Sequence, residues 1–395
     1  MDTSKMTCLE KLDSTKNYEL LEIAHSLGKV AKELKITLEK TFLREQIIEI
    51  VEGSYDIGRV LEVYEIFGGY INRSFGIVIE KDGKKQNYFL RKYKRGISDN
   101  DILFEHAMIS HAIANGLDIC PGLIPTKEDT TFVTPANSRS KFAIYTFLEG
   151  EDKYTWDNPI MEDEEYISAA QVLATFHNSS RNFDPKGLKR AEPKILDMLP
   201  SLIDTFTDCA KQDRDSKFHE YYRGKIDTII STIKANTISE HDVAKMPLNP
   251  IHCDFHPGNL KFKDNKAVGL FDFDWSKIDL RLFEICLSLV YCTSCWDEEN
   301  DGTMLLDKIK LFMVSYQNTL TEMGGLTPMN KAELDNFPTM MAMANFYLLN
   351  WDISAYYAED DLNDYEYLAY LKHNVRLLEW IEANKGEFAK IAASL

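Results

Sequence analysis

Two carboxylates and a carboxamide in the stretch Ile251–Trp275, IHCDFHPGNLKFKDNKAVGLFDFDW, are the residues best suited to chemistry. Two short apolar runs, His252–Phe255 and Val268–Phe273, flank the polar cluster Lys263-Asp264-Asn265-Lys266, which suits a hairpin turn. A loop ahead of that hairpin carries Asp254 and Asn259. The far strand ends at Asp272, and Asp274, two positions on, shares its face. Phosphoryl transfer needs such a set. Asp254 can accept the proton of an attacking hydroxyl, while Asn259 and Asp272 offer hard oxygen ligands to a Mg²⁺ bridging nucleotide phosphates. A rival reading places His252, Asp254 and His256 on one strand as ligands of a transition metal, as in a metal-dependent hydrolase. Pro257-Gly258 cuts that strand short, and no second His/Cys cluster with ligand spacing follows. The blandest reading is a hairpin with polar ends and no chemistry.

The run His252-Cys253-Asp254-Phe255-His256-Pro257-Gly258-Asn259, followed by Asp272-Phe273-Asp274, resembles the H-G-D-x-H-P-G-N and metal motifs of the aminoglycoside phosphotransferase and choline kinase family. The resemblance implies an α+β, bilobal protein-kinase-like fold with a small β-rich lobe and a mainly helical lobe. It also implies ATP and Mg²⁺ as cofactors.

The remaining elements must then supply a grip on the nucleotide. Val60–Phe67, Ser74–Glu80, Asn87–Tyr93, Thr130–Thr134 and Lys141–Phe147 read as strands. Gly68-Gly69-Tyr70-Ile71-Asn72 forms a tight turn whose wording resembles the nucleotide-covering loop of the homoserine kinase (second type) branch. This implies that Gly68, Gly69 and Asn72 lie over the phosphates, where glycines admit close backbone approach. A kinase-like fold places a cation on the third strand, paired to a helix carboxylate. The register selects Arg91 for that cation and Glu105, on the helix Asp99–Asn115, for its partner. Lys92 faces the other way. The family commonly has lysine at this cation. Arginine departs from that pattern and supports the competing expectation of a nucleotide-binding pseudokinase or regulatory module. Phe147-Leu148-Glu149-Gly150 resembles the interlobe hinge.

Beyond the hinge the pattern is helical. His177, on the helix Asp163–Ser179, reads as a packed core residue, and Glu284 approximates a family aspartate that helps hold the catalytic loop. Only a handful of residues separate Asp272 from the helix near Leu280, where protein kinases carry a long activation segment. This favours a small-molecule acceptor. Tyr356-Tyr357 and the acids that follow read either as an ammonium-binding site or as a solvated loop.

Composition sets outer bounds. The 395 residues are 44% hydrophobic with a formal net charge of −18, which argues against a nucleic-acid partner and sits comfortably with a cationic substrate. Seven scattered cysteines and no apolar signal core fit reduced thiols in the cytoplasm, and no stretch spans a membrane. Cys292-Thr-Ser-Cys295 has redox or zinc spacing but lies in an apolar run, which suits buried structural thiols. Three regions are expected: a helical N-terminal extension (1–53), a nucleotide-covering lobe (54–148) and a helical lobe with the acceptor site (149–395). The N-terminal helices serve either as a homodimer contact or as packing on the small lobe. The expected reaction moves the γ-phosphoryl of ATP to the hydroxyl of a homoserine-, choline- or aminoglycoside-like acceptor.

Overall fold

The computed structural model describes residues 42–66, 72–136, 139–297, 299–358 and 363–395. Strands β1 (Arg59–Ile66), β2 (Arg73–Lys81), β3 (Lys84–Lys92) and β4 (Phe142–Thr146) form one antiparallel sheet in sequential order. Helix α1 (Phe42–Ser54) packs on one face, its Ile47, Ile50 and Val51 joining Phe75, Ile77, Ile79, Leu90 and Ile144 in a small core. Helix α2 (Asp99–Ala114) covers the other face and enters a larger core with Tyr93, Ala143 and Tyr145. Successive strand residues alternate between faces, so Leu90 points at α1 while Arg91, opposite Ala143 in the ladder, points at α2. Lys92 sits on the α1 side, 5.9 Å over the Phe142 ring.

The helical lobe begins at the hinge. Gly150 there has φ +126, and an added Cβ would lie 2.9 Å from Lys261 Cβ, so this crossing requires glycine. The hinge is pinned by Glu151 N–H to Phe262 O at 2.8 Å and Phe262 N–H to Glu151 O at 3.0 Å. Helices α3 (Asp163–Ser180), α4 (Ile195–Ala210), α5 (Lys217–Ala235) and the single turn α6 (Glu240–Val243) follow. Next come β5 (Leu248–Ile251), the hairpin β6 (Leu260–Lys263) and β7 (Lys266–Leu270), and β8 (Lys277–Leu280), which pairs with β5. Helix α7 (Arg281–Thr293) is buried on nearly every side, its Arg281 paired with Glu333 and its Glu284 turned to the loop after β5. A short ribbon, β9 (Ser294–Cys295) with β10 (Thr303–Met304), precedes α8 (Leu306–Met323), α9 (Lys331–Ala358), α10 (Asp364–Ala383) and α11 (Lys385–Ala393). Small antiparallel sheet and helical lobe together make the expected bilobal α+β fold.

Four expectations change. The hairpin turns at Asp264-Asn265, both with positive φ, but β7 stops at Leu270 and the run His252–Phe255 is not a strand. Cys253 (φ +64) and Asp272 (φ +66) break the extended chain on either side. Thr130–Thr134 contributes one isolated bridge, Val133 to Phe142, rather than a strand. Tyr356 and Tyr357 are buried at the end of α9, and the cation over their rings is the chain's own Arg214, at 5.3 and 5.2 Å. Gly68, Gly69 and the helical pattern before residue 42 lie outside the described residues. Cys292 and Cys295 are free and buried, as are the four other described cysteines. Among the described residues no helix is long and apolar enough to cross a membrane.

Candidate active site

The loop between β5 and β6 carries Asp254, and a single 3₁₀ turn, Pro257–Asn259, turns Asn259 back onto it. Asn259 Nδ2 donates to Asp254 O at 2.9 Å and to Asp254 Oδ2 at 3.1 Å, which commits the amide and leaves Oδ1 as the atom for a cation. Phe271 N–H donates to Asn259 O at 3.1 Å, so Asn259 lies beside the chain that enters Asp272. The Asp254 carboxylate is 21% exposed, enough to meet a ligand. Burial pushes its pKa up, but His256 beside it, His252 and the Tyr291 hydroxyl together hold it below the usual carboxylate range. Asp254 is therefore ionised at neutral pH.

Backbone strain in this loop has an identifiable counterweight. A left-handed non-glycine residue such as Cys253 costs about 1–3 kcal/mol. Glu284, in the first turn of α7, accepts from His252 N–H at 2.8 Å and from Cys253 N–H at 2.6 Å. Bonds to a charged acceptor contribute about 1.5–3 kcal/mol each, so the two outweigh the strain. Glu284 also meets His177 Nε2 at 2.8 Å, and His177 Nδ1 meets the Tyr316 hydroxyl at 2.7 Å. His177 is thus a buried prop for the clamp. The rival metal trio does not assemble: His252 Nε2 engages Phe271 O at 2.9 Å and His256 Nδ1 accepts from Gly258 N–H at 3.1 Å. Burial lowers the His252 pKa, consistent with a neutral ring donating one N–H.

Across the cleft, Arg91 gathers carboxylates from three directions. Its Nη1 lies 3.4 Å from Glu105 Oε1 and its Nη2 3.1 Å from Asp272 Oδ1, while Nη1 also bonds Asp274. Asn72 donates to Asp274 and accepts from Lys94 N–H at 2.8 Å, tying the residue just before β2 to the same cluster. Tyr145 donates to Glu105 Oε1 at 3.1 Å. Burial opposes the guanidinium's charge, yet Asp274, Asp272 and Glu105 hold its pKa well above the usual value. The carboxylates show the converse. Burial first, and then Asp274, raise Glu105 to about 8, and burial with Asp272 raises Asp274 to about 6, against the pull of Arg91 on both. Three acids around one arginine leave the cluster short of positive charge. That deficit, the 37% exposed Asp272 carboxylate and the Asn259 oxygen suit a hard divalent cation such as Mg²⁺.

The structure therefore brings together Asp254 with Asn259 on one side and Arg91, Glu105, Asp272, Asp274 and Asn72 on the other. Tyr291 at Asp254 and Tyr145 at Glu105 went unassigned in the sequence because no local spacing marks them, while His256, marked by the motif, stands beside Asp254 rather than serving as a metal ligand.

A hinged two-lobe fold with this cluster in its cleft defines a kinase-like phosphotransferase. Residues 62–312 match the phosphotransferase enzyme family, and the chain belongs to that family as a small-molecule kinase. It is 26% identical over 286 residues to a homoserine kinase of Agrobacterium fabrum, covering 72% of this chain and 78% of the relative. Among solved structures it resembles a spectinomycin phosphotransferase in complex with ADP and spectinomycin (TM-score 0.58, 16% identity, covering 86% of this chain and 98% of that one). It likewise resembles a choline kinase of Cryptosporidium parvum (TM-score 0.57, 16% identity, covering 86% and 96%).

Proposed function

We propose that this kinase transfers the γ-phosphoryl group of ATP to a hydroxyl of a small, amine-bearing acceptor in the cytoplasm. The observation that carries the ATP reading is the meeting of Arg91 with Glu105 and Asp272, which aims a fixed cation at the mouth of the metal-binding acids. In this reading residues 54–148 cover the nucleotide and 149–395 carry the catalytic loop and acceptor site. Residues 1–53, of which only α1 is described, would form an N-terminal extension, for which a homodimer contact is one role to test.

Asp254 holds the attacking hydroxyl in line. A base kept below the usual carboxylate range takes the proton only as the new P–O bond forms and the hydroxyl acidifies. Asn259 and Asp272 are the ligands for Mg²⁺, which when bound neutralises phosphate charge. Arg91 holds the phosphates and Glu105 orients Arg91, while Asn72, with Gly68 and Gly69, closes over the nucleotide. Asp274 steers Arg91 and Asn72 from outside the metal's own ligands.

Support for an amine comes from Asp352 on α9. It is 2% exposed, its described hydrogen bond is from Asn374 Nδ2 at 2.7 Å, and Asn374 Oδ1 is buried without a partner. Burial holds the Asp352 carboxyl well above the usual carboxylate range, so it offers oxygens rather than a standing charge; it lies within electrostatic reach of Tyr291, whose hydroxyl bonds Asp254. An ammonium, with three donors and no acceptor, complements these oxygens. The homoserine kinase relative acts, by its name, on an amino alcohol, which fits the same class. The decisive experiment is an ATP–Mg²⁺ consumption screen over homoserine, choline-like alcohols, aminoglycosides and amine-free sugars, with Asp254→Asn alongside. Turnover of an amine abolished in the variant supports the reading. Turnover confined to amine-free sugars refutes the acceptor class, and no nucleotide binding refutes the kinase reading itself.

A further inference from the structure

The alignment of Glu105 needs a source beyond its own contacts. Arg91 and Tyr145 both meet the single oxygen Oε1, at 3.4 and 3.1 Å, and Oε2 is buried without a partner. Such thin contacts cannot by themselves set the position of a helix. The inner side of α2 packs into the core through Ile102, Met108 and Ile109, with His106 bonded to Tyr93, Thr131 and Tyr145, and its outer side is held separately.

What holds it is the connection between α3 and α4, residues 181–194. Phe183 packs edge-on against Phe104 (ring centroids 5.4 Å apart) and His111 (5.6 Å) along α2. At the start of that helix Arg190 Nη1 donates to Asp101 O at 3.0 Å and lies 3.7 Å from Asp101 Oδ1. Ala191 N–H donates to Asp101 Oδ1 at 3.1 Å. The Arg190 side chain is 8% exposed and its Nε is buried without a partner, so the guanidinium is held inside the structure rather than lying on its surface. Asp101 is itself fixed, bonded to the helix cap Ser98 through Ser98 Oγ at 2.7 Å. Asp101 lies one turn before Glu105 and on the same side of the helix.

The other end of this connection is tied to the catalytic segment. Pro193 O accepts from Lys277 Nζ at 2.6 Å, and Ile195 N–H donates to Asp279 Oδ2 at 2.8 Å. Lys277 and Asp279 belong to β8, which begins three residues after Asp274. One loop therefore spans from the helix carrying Glu105 to the strand following Asp272 and Asp274.

Resting on the kinase reading above, we propose that residues 183–195 form a strap that locks α2 in its working position, with Arg190 as its positioning residue. Arg190 acts by keeping Glu105, and through it Arg91, in register with Asp272 and Asp274. Its charge works in the same direction, since Arg190 is among the cations that favour ionised Glu105 and Asp274. Because the strap is covalently part of the helical lobe, α2 is set in place without any partner or modification.

The test uses the full chain as wild type, Arg190→Met, Arg190→Lys and Asp101→Asn. Amide hydrogen exchange is measured without ligand, and ATP–Mg²⁺ affinity by calorimetry. The strap predicts about tenfold faster exchange confined to residues 99–114 and about tenfold weaker ATP binding in Arg190→Met, with partial recovery in Arg190→Lys. Asp101→Asn, which keeps the helix-cap geometry, gives the same pattern at smaller amplitude and covers the case in which Arg190→Met fails to fold. Unchanged exchange and ATP affinity in folded Arg190→Met and Asp101→Asn overturn the strap. So does a drop in melting temperature with ATP affinity intact, which makes Arg190 merely structural. Wild-type protein that fails to bind ATP overturns the kinase reading, and the exchange data then still report whether the connection holds α2.

Discussion

The two sides of the cleft solve opposite electrostatic problems. On the helical side the geometry of the Asp254 loop is set by its own contacts. Glu284 satisfies the two amides that enter the loop, Asn259 and His256 flank Asp254, and Asp254 sits below the usual carboxylate range. Around Arg91 of the sheet three acids converge, Glu105 from α2 and Asp272 and Asp274 from the segment after β7, and two of them are pushed up in pKa. One side is built to hold a fixed geometry, the other to receive charge. A cation held by Asn259 and Asp272 would offset the excess of acids around Arg91, while the backbone clamp that shapes the loop needs no ligand. The comparison teaches where to expect effects on turnover and where to expect effects on affinity.

The sharpest way to break that contrast is Asp254→Asn. The variant keeps the size of the side chain but cannot take a proton, so turnover falls by about 10²–10⁴-fold with nucleotide affinity unchanged. Steady-state kinetics beside calorimetry decide it, and a matching loss of ATP affinity would show that the two sides are not separable. Next in size is Glu284→Gln. Its amide turns one donor toward a backbone N–H that now lacks an acceptor, so stability drops by about 2–3 kcal/mol in urea unfolding. Turnover per folded molecule also drops as Cys253 relaxes. A variant as stable and as active as the wild type would remove Glu284 from its place as the clamp.

Much of this was legible in the sequence. Strand alternation was enough to choose Arg91 over Lys92, because a one-residue slip would have put the cation on the α1 face beside Phe142. Asp254, Asn259 and Asp272 could be read from spacing because the hairpin is local. Glu284 was legible only as an approximate match, since its partners lie 31 and 32 positions away and are backbone amides, which leave no residue-type signature. Position 253 shows what motif wording leaves out. The family's usual glycine there suits φ > 0, and a cysteine at φ +64 stands in its place because the loop is held from outside. Arg190 and Tyr291 carried no signal at all, as each works through contacts made only by the folded chain. The aromatic-acidic run at Tyr356 misled in the other direction, because composition cannot show that Arg214 already occupies the rings.

On the grip side, Arg91→Ala leaves three acids facing one another and weakens ATP–Mg²⁺ binding about tenfold or more. Arg91→Lys, which keeps a charge but loses the fork that spans Asp272 and Asp274, stays within about tenfold of wild type. Calorimetry on both variants sharpens the comparison. Indifference to Arg91→Ala would mean that another cation receives the phosphates.

The smallest effect is also the most specific to the grip. Asp274, raised to about 6, and Glu105, raised to about 8, hold protons in the folded protein at pH values where the unfolded chain has released them. The native state then binds more protons than the unfolded one, so these groups make stability fall as pH rises. The contribution of Asp274 is present at the low end, near the usual carboxylate range of about 4, and is lost as pH passes through about 6. That of Glu105 fades on to about 8. Asp274→Asn removes the first part. Urea unfolding of the ligand-free protein between pH 4 and 8 should therefore show a flatter profile below about 6 in the variant than in wild type. Asp254→Asn, in the loop set by its own contacts, should leave that slope in place, because Asp254 lies below the usual range and loses its contribution only on acidification. Equal slopes in wild type and Asp274→Asn would mean that the sheet side is not short of positive charge, and the contrast between the two sides would fail.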